Sequence, residues 1–199
     1  FFILTKVHYL PVFDDKDNFI GIISARRVLN YLKSLPVFDI KVADFIKRKK
    51  IPIFIYPNTT VPEALATFKK TKISKLIVVD NDGRLKGVLS YYDLIDFLVS
   101  PVGREERGDR QGFKKHLLSK PVSDFYKSFV LTITKEDNLN KAINLILDKK
   151  IGSVIVVDEK RKPLNIITTS DLLRHYLNES KAGFFKNIAS GLKAILPRR

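Results

Sequence analysis

The stretch KLIVVDNDGRLKGVLSYYDLIDFL, residues 75–98, returns as SVIVVDEKRKPLNIITTSDLLRHYL at residues 153–177. The repetition decides the fold, because one constant offset carries Asp80 onto Asp158, Ser90 onto Thr168 and Asp93 onto Asp171. An earlier copy, YLPVFDDKDNFIGIISARRVLNYL at 9–32, sets Asp14, Gly21 and Ser24 in the same order and spacing as Asp80, Gly87 and Ser90. Each copy reads as an apolar strand, a turn, a second strand and an amphipathic helix. The turn Asn81-Asp82-Gly83 is a hairpin signal, since it supplies a residue free to adopt positive φ between two β-rich runs.

Working outward, the two later copies share a front half: KVADFIKRKKIPIFIYPNTTVPEALATFKKTKI at 41–73 and PVSDFYKSFVLTITKEDNLNKAINLILDKKI at 121–151. Each holds a short β-branched strand and then a helix. Thr60-Val61-Pro62-Glu63 is a helix start, with a capping hydroxyl, a proline in the first turn and an acid at the third helical position. The predicted fold is therefore α/β, built of tandem β-α-β-β-α repeats with small sheets covered by helices. The expected divisions are a partial repeat over 1–37 that lacks its front half, a repeat over 41–100, a basic linker over 101–120, a repeat over 121–178 and a basic tail over 179–199. In the tail, Phe184, Phe185, Ile188, Leu192, Ile195 and Leu196 fall on one helical face.

Composition narrows the function classes. A chain of 199 residues that is 45% hydrophobic has room for a real core. It has no cysteine, which excludes disulfides and thiolate metal sites and fits a reducing, cytoplasmic setting. No apolar run approaches the ~20 residues a bilayer crossing needs. Methionine is absent even at position 1, which points either to a start inside a longer product or to methionines missing from the sequence as written. His8, His116 and His175 have no metal spacing, and no phosphate-binding loop, nucleophile elbow or carboxylate pair is present. The chain reads as a non-enzyme without a metal.

In the order of these motifs the chain resembles the cystathionine β-synthase (CBS) domain family. The residues that carry the resemblance are the VADF and VSDF openings, the LIVVD and VIVVD strands, the DNDGRLKG turn, and the GVLSYYDL and NIITTSDL segments. It implies repeats paired through their sheets into a pseudo-twofold module, a regulatory role, and adenosine-type ligands such as AMP, ADP, ATP or S-adenosylmethionine. By position it implies that Asp93 and Asp171 contact ribose and that Ser90 and Thr168 lie near phosphate. Read without the family, Ser90-x-x-Asp93 and Thr168-x-x-Asp171 fit capping boxes. The same free N–H groups, hydroxyl and helix dipole also welcome a phosphate. The first copy keeps Ser24 but has Arg27 where the acid would be, and the third has Pro163 and Asn165 where the second has Leu85 and Gly87.

Charge is the remaining signal. Thirty-six Lys and Arg against 21 Asp and Glu leave a formal +15, an excess that attracts polyanions. Candidate nucleic-acid contacts are Arg26 and Arg27; Lys47, Arg48, Lys49 and Lys50; Arg104, Arg107, Arg110, Lys114 and Lys115; and the tail residues Lys186, Lys193, Arg198 and Arg199. With no sequence-reading DNA motif, structured RNA is the favoured polyanion. The chain is similar in this respect to archaeal CBS-repeat ribosome dormancy factors, which implies energy-linked docking on a ribosomal subunit. The alternatives are an ordinary CBS module that controls a protein partner and, less favoured, a membrane-surface regulator that uses residues 184–196. The odd repeat count adds one expectation: if the front half of the first repeat precedes residue 1, repeats one and two can pair, which leaves the third to find a mate in a second copy or a further repeat, as a dimer or larger assembly.

Overall fold

The computed structural model describes residues 9–47, 51–99 and 118–180. The chain divides into two compact units, one holding the described residues within 49–134 and 155–166, the other those within 1–48, 135–154 and 167–199.

The first of these is organised around one strand, β4, whose apolar side chains are buried on both faces. Strand β3 (Phe54–Ile55) leads through helix α3 (Val61–Thr71) to β4 (Lys75–Val79), and β5 (Leu85–Ser90) then leads into helix α4 (Tyr91–Val99). The sheet order is β3-β4-β5, with β3 parallel and β5 antiparallel to β4. Side chains alternate across a strand, so β4 sends Leu76 and Val78 to one face and Ile77 and Val79 to the other. Leu76, Val78 and Leu89 pack with Val61, Ala64 and Phe68 of α3 and with Leu94 of α4. On the opposite face Ile77, Val79, Leu85 and Val88 meet Ile155 and Val157, with Val130 and Ile166 beside them.

Ile155, Val157 and Ile166 belong to the second sheet, β6 (Thr132–Thr134), β7 (Ser153–Val157) and β8 (Pro163–Thr168), in the order β6-β7-β8 with β6 parallel to β7, and Val130 lies just ahead of β6. The sheets of the second and third repeats thus pack through equivalent positions, Ile77 and Val79 of one and Ile155 and Val157 of the other. Expectation paired repeat one with repeat two, and the structure corrects it. The repeats also exchange their openings: Thr60, which caps α3, bridges Pro121, and Asn138, which caps the third repeat's helix, bridges Lys41.

The second unit contains the hairpin β1 (Tyr9–Phe13) and β2 (Phe19–Ser24), helix α1 (Ala25–Leu32), the short helix α2 (Val42–Ile46), helix α5 (Leu139–Asp148) and the helical residues 169–180. Helix α5 starts at Asn138, whose Oδ1 accepts the Asn140 N–H at 2.9 Å while its Nδ2 donates to Asp39 at 2.7 Å. Leu139, Ala142, Ile143 and Ile146 on one side of α5 are buried. The β1–β2 hairpin keeps its apolar side in solvent. Phe13, Phe19 and Ile22, the counterparts of Val79, Leu85 and Val88, are 52%, 59% and 59% exposed.

The hairpins of the described residues share one turn. Asp14, Asp80 and Asp158 each accept two backbone N–H groups on Oδ1, from Lys16 and Asn18, Asp82 and Arg84, and Lys160 and Lys162, at 2.7–3.0 Å. Hydrogen bonding from Asn18, side chain first and backbone second, holds the Asp14 carboxyl below its ordinary value. At the third position after each Asp the backbone turns left-handed, at Asp17 (φ 61), Gly83 (φ 77) and Arg161 (φ 60). This is the loop type in which a tight turn is followed by a left-handed residue. The strong signal at Gly83 therefore marks a turn that the other two repeats make without glycine.

A non-glycine residue in the left-handed region costs roughly 1–2 kcal/mol, partly offset by glycine's larger unfolded-state entropy. Gly83→Ala is expected to lower unfolding stability by about 1 kcal/mol and Arg161→Gly to raise it by roughly 0.5 kcal/mol. Urea denaturation of the two variants beside the unmodified chain checks the opposite signs.

Candidate functional site

The Ser/Thr-x-x-Asp motifs form the helix caps that their spacing suggests. In the second repeat the Ser90 N–H donates to Asp93 Oδ2 at 2.9 Å, and the Tyr92 N–H donates to Ser90 Oγ at 3.2 Å. In the third repeat the N–H and the hydroxyl of Thr168 donate to Asp171 Oδ2 at 2.9 and 2.7 Å, and the Asp171 N–H donates back to Thr168 Oγ1 at 3.2 Å. Each carboxylate therefore sits beside the first turn of a helix, where the dipole favours negative charge. In the first repeat the Arg27 N–H donates to Ser24 Oγ at 3.2 Å, so the hydroxyl cap survives without its acid.

Capping uses one oxygen of Asp93. The other, Oδ1, lies 2.9 Å from Lys127 Nζ. The Asp93 side chain is only 12% exposed, whereas that of Lys127 is 74% exposed. Sequence reading missed Lys127, which is remote from Asp93 along the chain and belongs to no motif. Its backbone exchanges two 3.0 Å hydrogen bonds with Val88, just ahead of the capped helix. The pairing is close: a Cβ at Gly87 would collide with the Lys127 carbonyl and the Tyr126 ring. Gly87 is thus required by contact. At the matching place in the third repeat Asn165 is buried, and its Oδ1 accepts the Ile166 N–H at 2.8 Å.

The Ser90 and Asp93 cap and the Thr168 and Asp171 cap fall in different compact units, and each stands as a separate candidate nucleotide contact. A carboxylate held at a helix start can accept hydrogen bonds from vicinal hydroxyls, and the neighbouring N–H groups suit a phosphate. Aromatic surface lies next to the first cap. Tyr91 stands edge-on to Phe68 at 5.6 Å and to Tyr92 at 6.3 Å, and Tyr92 is 58% exposed.

The candidate basic contacts divide three ways. The Arg26 guanidinium donates to the carbonyl of Lys150 at 2.9 Å and to that of Ile151 at 3.4 Å, where the chain leaves α5. The Arg27 side chain is exposed, and Lys47 pairs with Asp44 at 2.7 Å, which holds the Asp44 carboxyl below its ordinary value. Arg48, Lys49, Lys50, Arg104, Arg107, Arg110, Lys114, Lys115, Lys186, Lys193, Arg198 and Arg199 lie outside the described residues, as does the apolar stripe of the tail. His175 is structural: Nε2 is 2.9 Å from the Val37 carbonyl oxygen and the ring meets Phe45 edge-on at 5.3 Å. Among the described residues no group of three potential metal ligands occurs, and no helix is long and apolar enough to cross a membrane.

With this geometry in hand, comparison with known proteins places the chain. The family model described as CBS domain matches residues 1–34, 42–100 and 122–178. MJ1225, an uncharacterized protein of Methanocaldococcus jannaschii, is 26% identical over 144 residues, which cover 70% of this chain and 50% of that protein. Its crystal structure superposes with a TM-score of 0.71 at 25% identity, covering 88% of this chain and 61% of that one. The chloroplastic CBS domain-containing protein CBSX1 of Arabidopsis thaliana is 30% identical over 156 residues, 71% of this chain and 66% of the relative. A structure of CBSX2 in complex with AMP superposes with a TM-score of 0.53 at 26% identity, covering 70% of this chain and 98% of that one. The chain therefore spans half to two thirds of the length of these two curated relatives.

Gly87 tests the close approach that brings Lys127 to the cap. Gly87→Ala is expected to cost about 1–3 kcal/mol of unfolding stability through overpacking. Lys86→Ala, on the exposed face of the same strand, is expected to stay within about 0.5 kcal/mol in the same denaturation experiment.

Proposed function

This chain belongs to the CBS-domain family, and from that premise we propose that it is a regulatory, non-catalytic module that binds an adenine nucleotide and passes its occupancy to a protein partner. The observation that carries the reading is the pair of Ser/Thr-x-x-Asp caps. Each sets a carboxylate beside backbone N–H groups at a helix start, a combination suited to ribose hydroxyls and phosphate together. AMP in the structure of CBSX2 supports adenine as the base class. CBS-domain proteins are generally regulatory, and the comparisons indicate no enzyme family. Ligand occupancy would act by favouring one arrangement of the repeats, and a partner that reads this arrangement would reciprocally alter nucleotide affinity.

Titration calorimetry with AMP, ADP and ATP tests this reading. Binding is expected, with Asp93→Ala and Asp171→Ala each weakening one class of site about tenfold to a hundredfold, the cost of losing hydrogen bonds to a charged group. Absence of binding at about 1 mM of all three nucleotides would sink the proposal.

A second reading rests on the formal charge of +15. In it the same module docks on RNA, with a ribosomal subunit as the target, through basic segments that contact phosphates. Such binding falls steeply with salt through counterion release. The check is co-sedimentation with ribosomal subunits over a salt series, with and without AMP and ATP. Pelleting that persists near ~0.15 M salt and responds to nucleotide is the expected result. A chain that stays in the supernatant there leaves the protein-partner reading alone.

A further inference from the structure

We infer that Lys127 sets the phosphate preference of the Ser90 and Asp93 site, acting as a stand-in on Asp93 when the site is empty and as a counter-charge to phosphate when it is filled. The inference rests on the nucleotide reading above and deepens it to one residue.

Three observations carry it. Asp93 Oδ2 takes the Ser90 N–H at the helix start, while Oδ1, on the other side of the carboxylate, faces Lys127 at 2.9 Å. A ribose hydroxyl that reaches Oδ1 therefore competes with the ammonium for that oxygen. The Lys127 backbone, in contrast, cannot leave: it is bridged to Val88 in both directions and pressed against Gly87. The anchored backbone and the 74% exposed side chain together give a cation that swings on a fixed point within reach of the cap.

The displaced ammonium has different fates with different ligands. A nucleoside takes Oδ1 and offers no anion in return, so its binding breaks an ion pair without replacing it. A nucleotide brings a phosphate to the same helix start, where N–H groups and the dipole already favour an anion, and the freed Lys127 pairs with it. The site thus penalises adenosine and rewards AMP through one side chain. The first repeat offers no such pair, since Arg27 stands at the position of Asp93.

The test is titration of adenosine and AMP into the unmodified chain and into Lys127→Gln, Lys127→Arg and Asp93→Asn. Because Lys127 is mostly exposed, its substitution leaves the core untouched, and circular dichroism and thermal unfolding confirm the fold. Loss of an exposed ion pair is expected to tighten adenosine up to about fivefold in Lys127→Gln. Loss of a charge-assisted contact to phosphate is expected to weaken AMP about tenfold. Lys127→Arg is expected to keep the preference for AMP, and in Asp93→Asn the further change Lys127→Gln is expected to leave adenosine affinity unchanged. If Lys127→Gln alters both ligands in the same direction, or leaves their ratio unchanged, Lys127 is an ordinary surface ion pair and the inference is overturned. If neither adenosine nor AMP binds the unmodified chain, the nucleotide reading itself fails and takes this one with it.

Discussion

Strand β4 has no side that water can touch. Leu76, Ile77 and Val78 are 0%, 1% and 0% exposed, so the sheet that holds them must be covered twice. Helices α3 and α4 cover one face and the sheet of the third repeat covers the other. Each fully buried aliphatic side chain contributes about 1.5–3 kcal/mol relative to leaving it in solvent. The two layers stabilise each other, and neither sheet face would persist bare at that cost. The same pairing draws the segment before β6 along β5, where Lys127 bridges Val88. The geometry at the candidate site is therefore a by-product of how the core closes.

The caps join a structural duty to the chemistry of the proposed nucleotide site. A hydroxyl and a carboxylate that satisfy orphan N–H groups stabilise a helix start whatever else they do. The second and third repeats supply both groups, and in the second the other carboxylate oxygen faces Lys127. The first repeat keeps only the hydroxyl and places Arg27, a cation, in the turn where the dipole prefers an anion. In the proposed nucleotide sites structure and recognition draw on the same side chains, while the first repeat shows that the helix starts without the acid.

Much of the fold was legible in sequence because the repeats write it several times. Apolar strands flanked by Asp and a turn residue, and capped helices at a fixed offset, are local signals and they survived intact. The helix caps at Thr60, Ser90 and Thr168 were legible for the same reason. Repeat pairing was not, because it depends on which apolar faces meet, and Val79 and Phe13 look alike in a string of letters. Lys127 was hidden by its distance along the chain from Asp93, since the VSDF opening just ahead of it marks a repeat boundary and not a partner for the cap. Arg26 read as an anion contact, yet its guanidinium satisfies carbonyls at the end of α5, a need visible only once the chain leaves that helix beside it.

The shared Asp turn has a consequence for how the chain finds its structure. Each hairpin closes over a short loop stapled by its own carboxylate, so the hairpins can form early from local contacts alone. Their mates lie far off: the faces of β4 and β7 that meet in the end are separated by a whole repeat and the segment that joins it to the next. During that interval the chain carries several near-identical apolar ribbons, each shaped to accept its own equivalent. Crowded nascent chains would find these ribbons on one another as readily as on themselves, and strand exchange between molecules is the failure mode built into such a repeat. The charge of +15, whatever partner it serves, also keeps like chains apart while the correct faces meet.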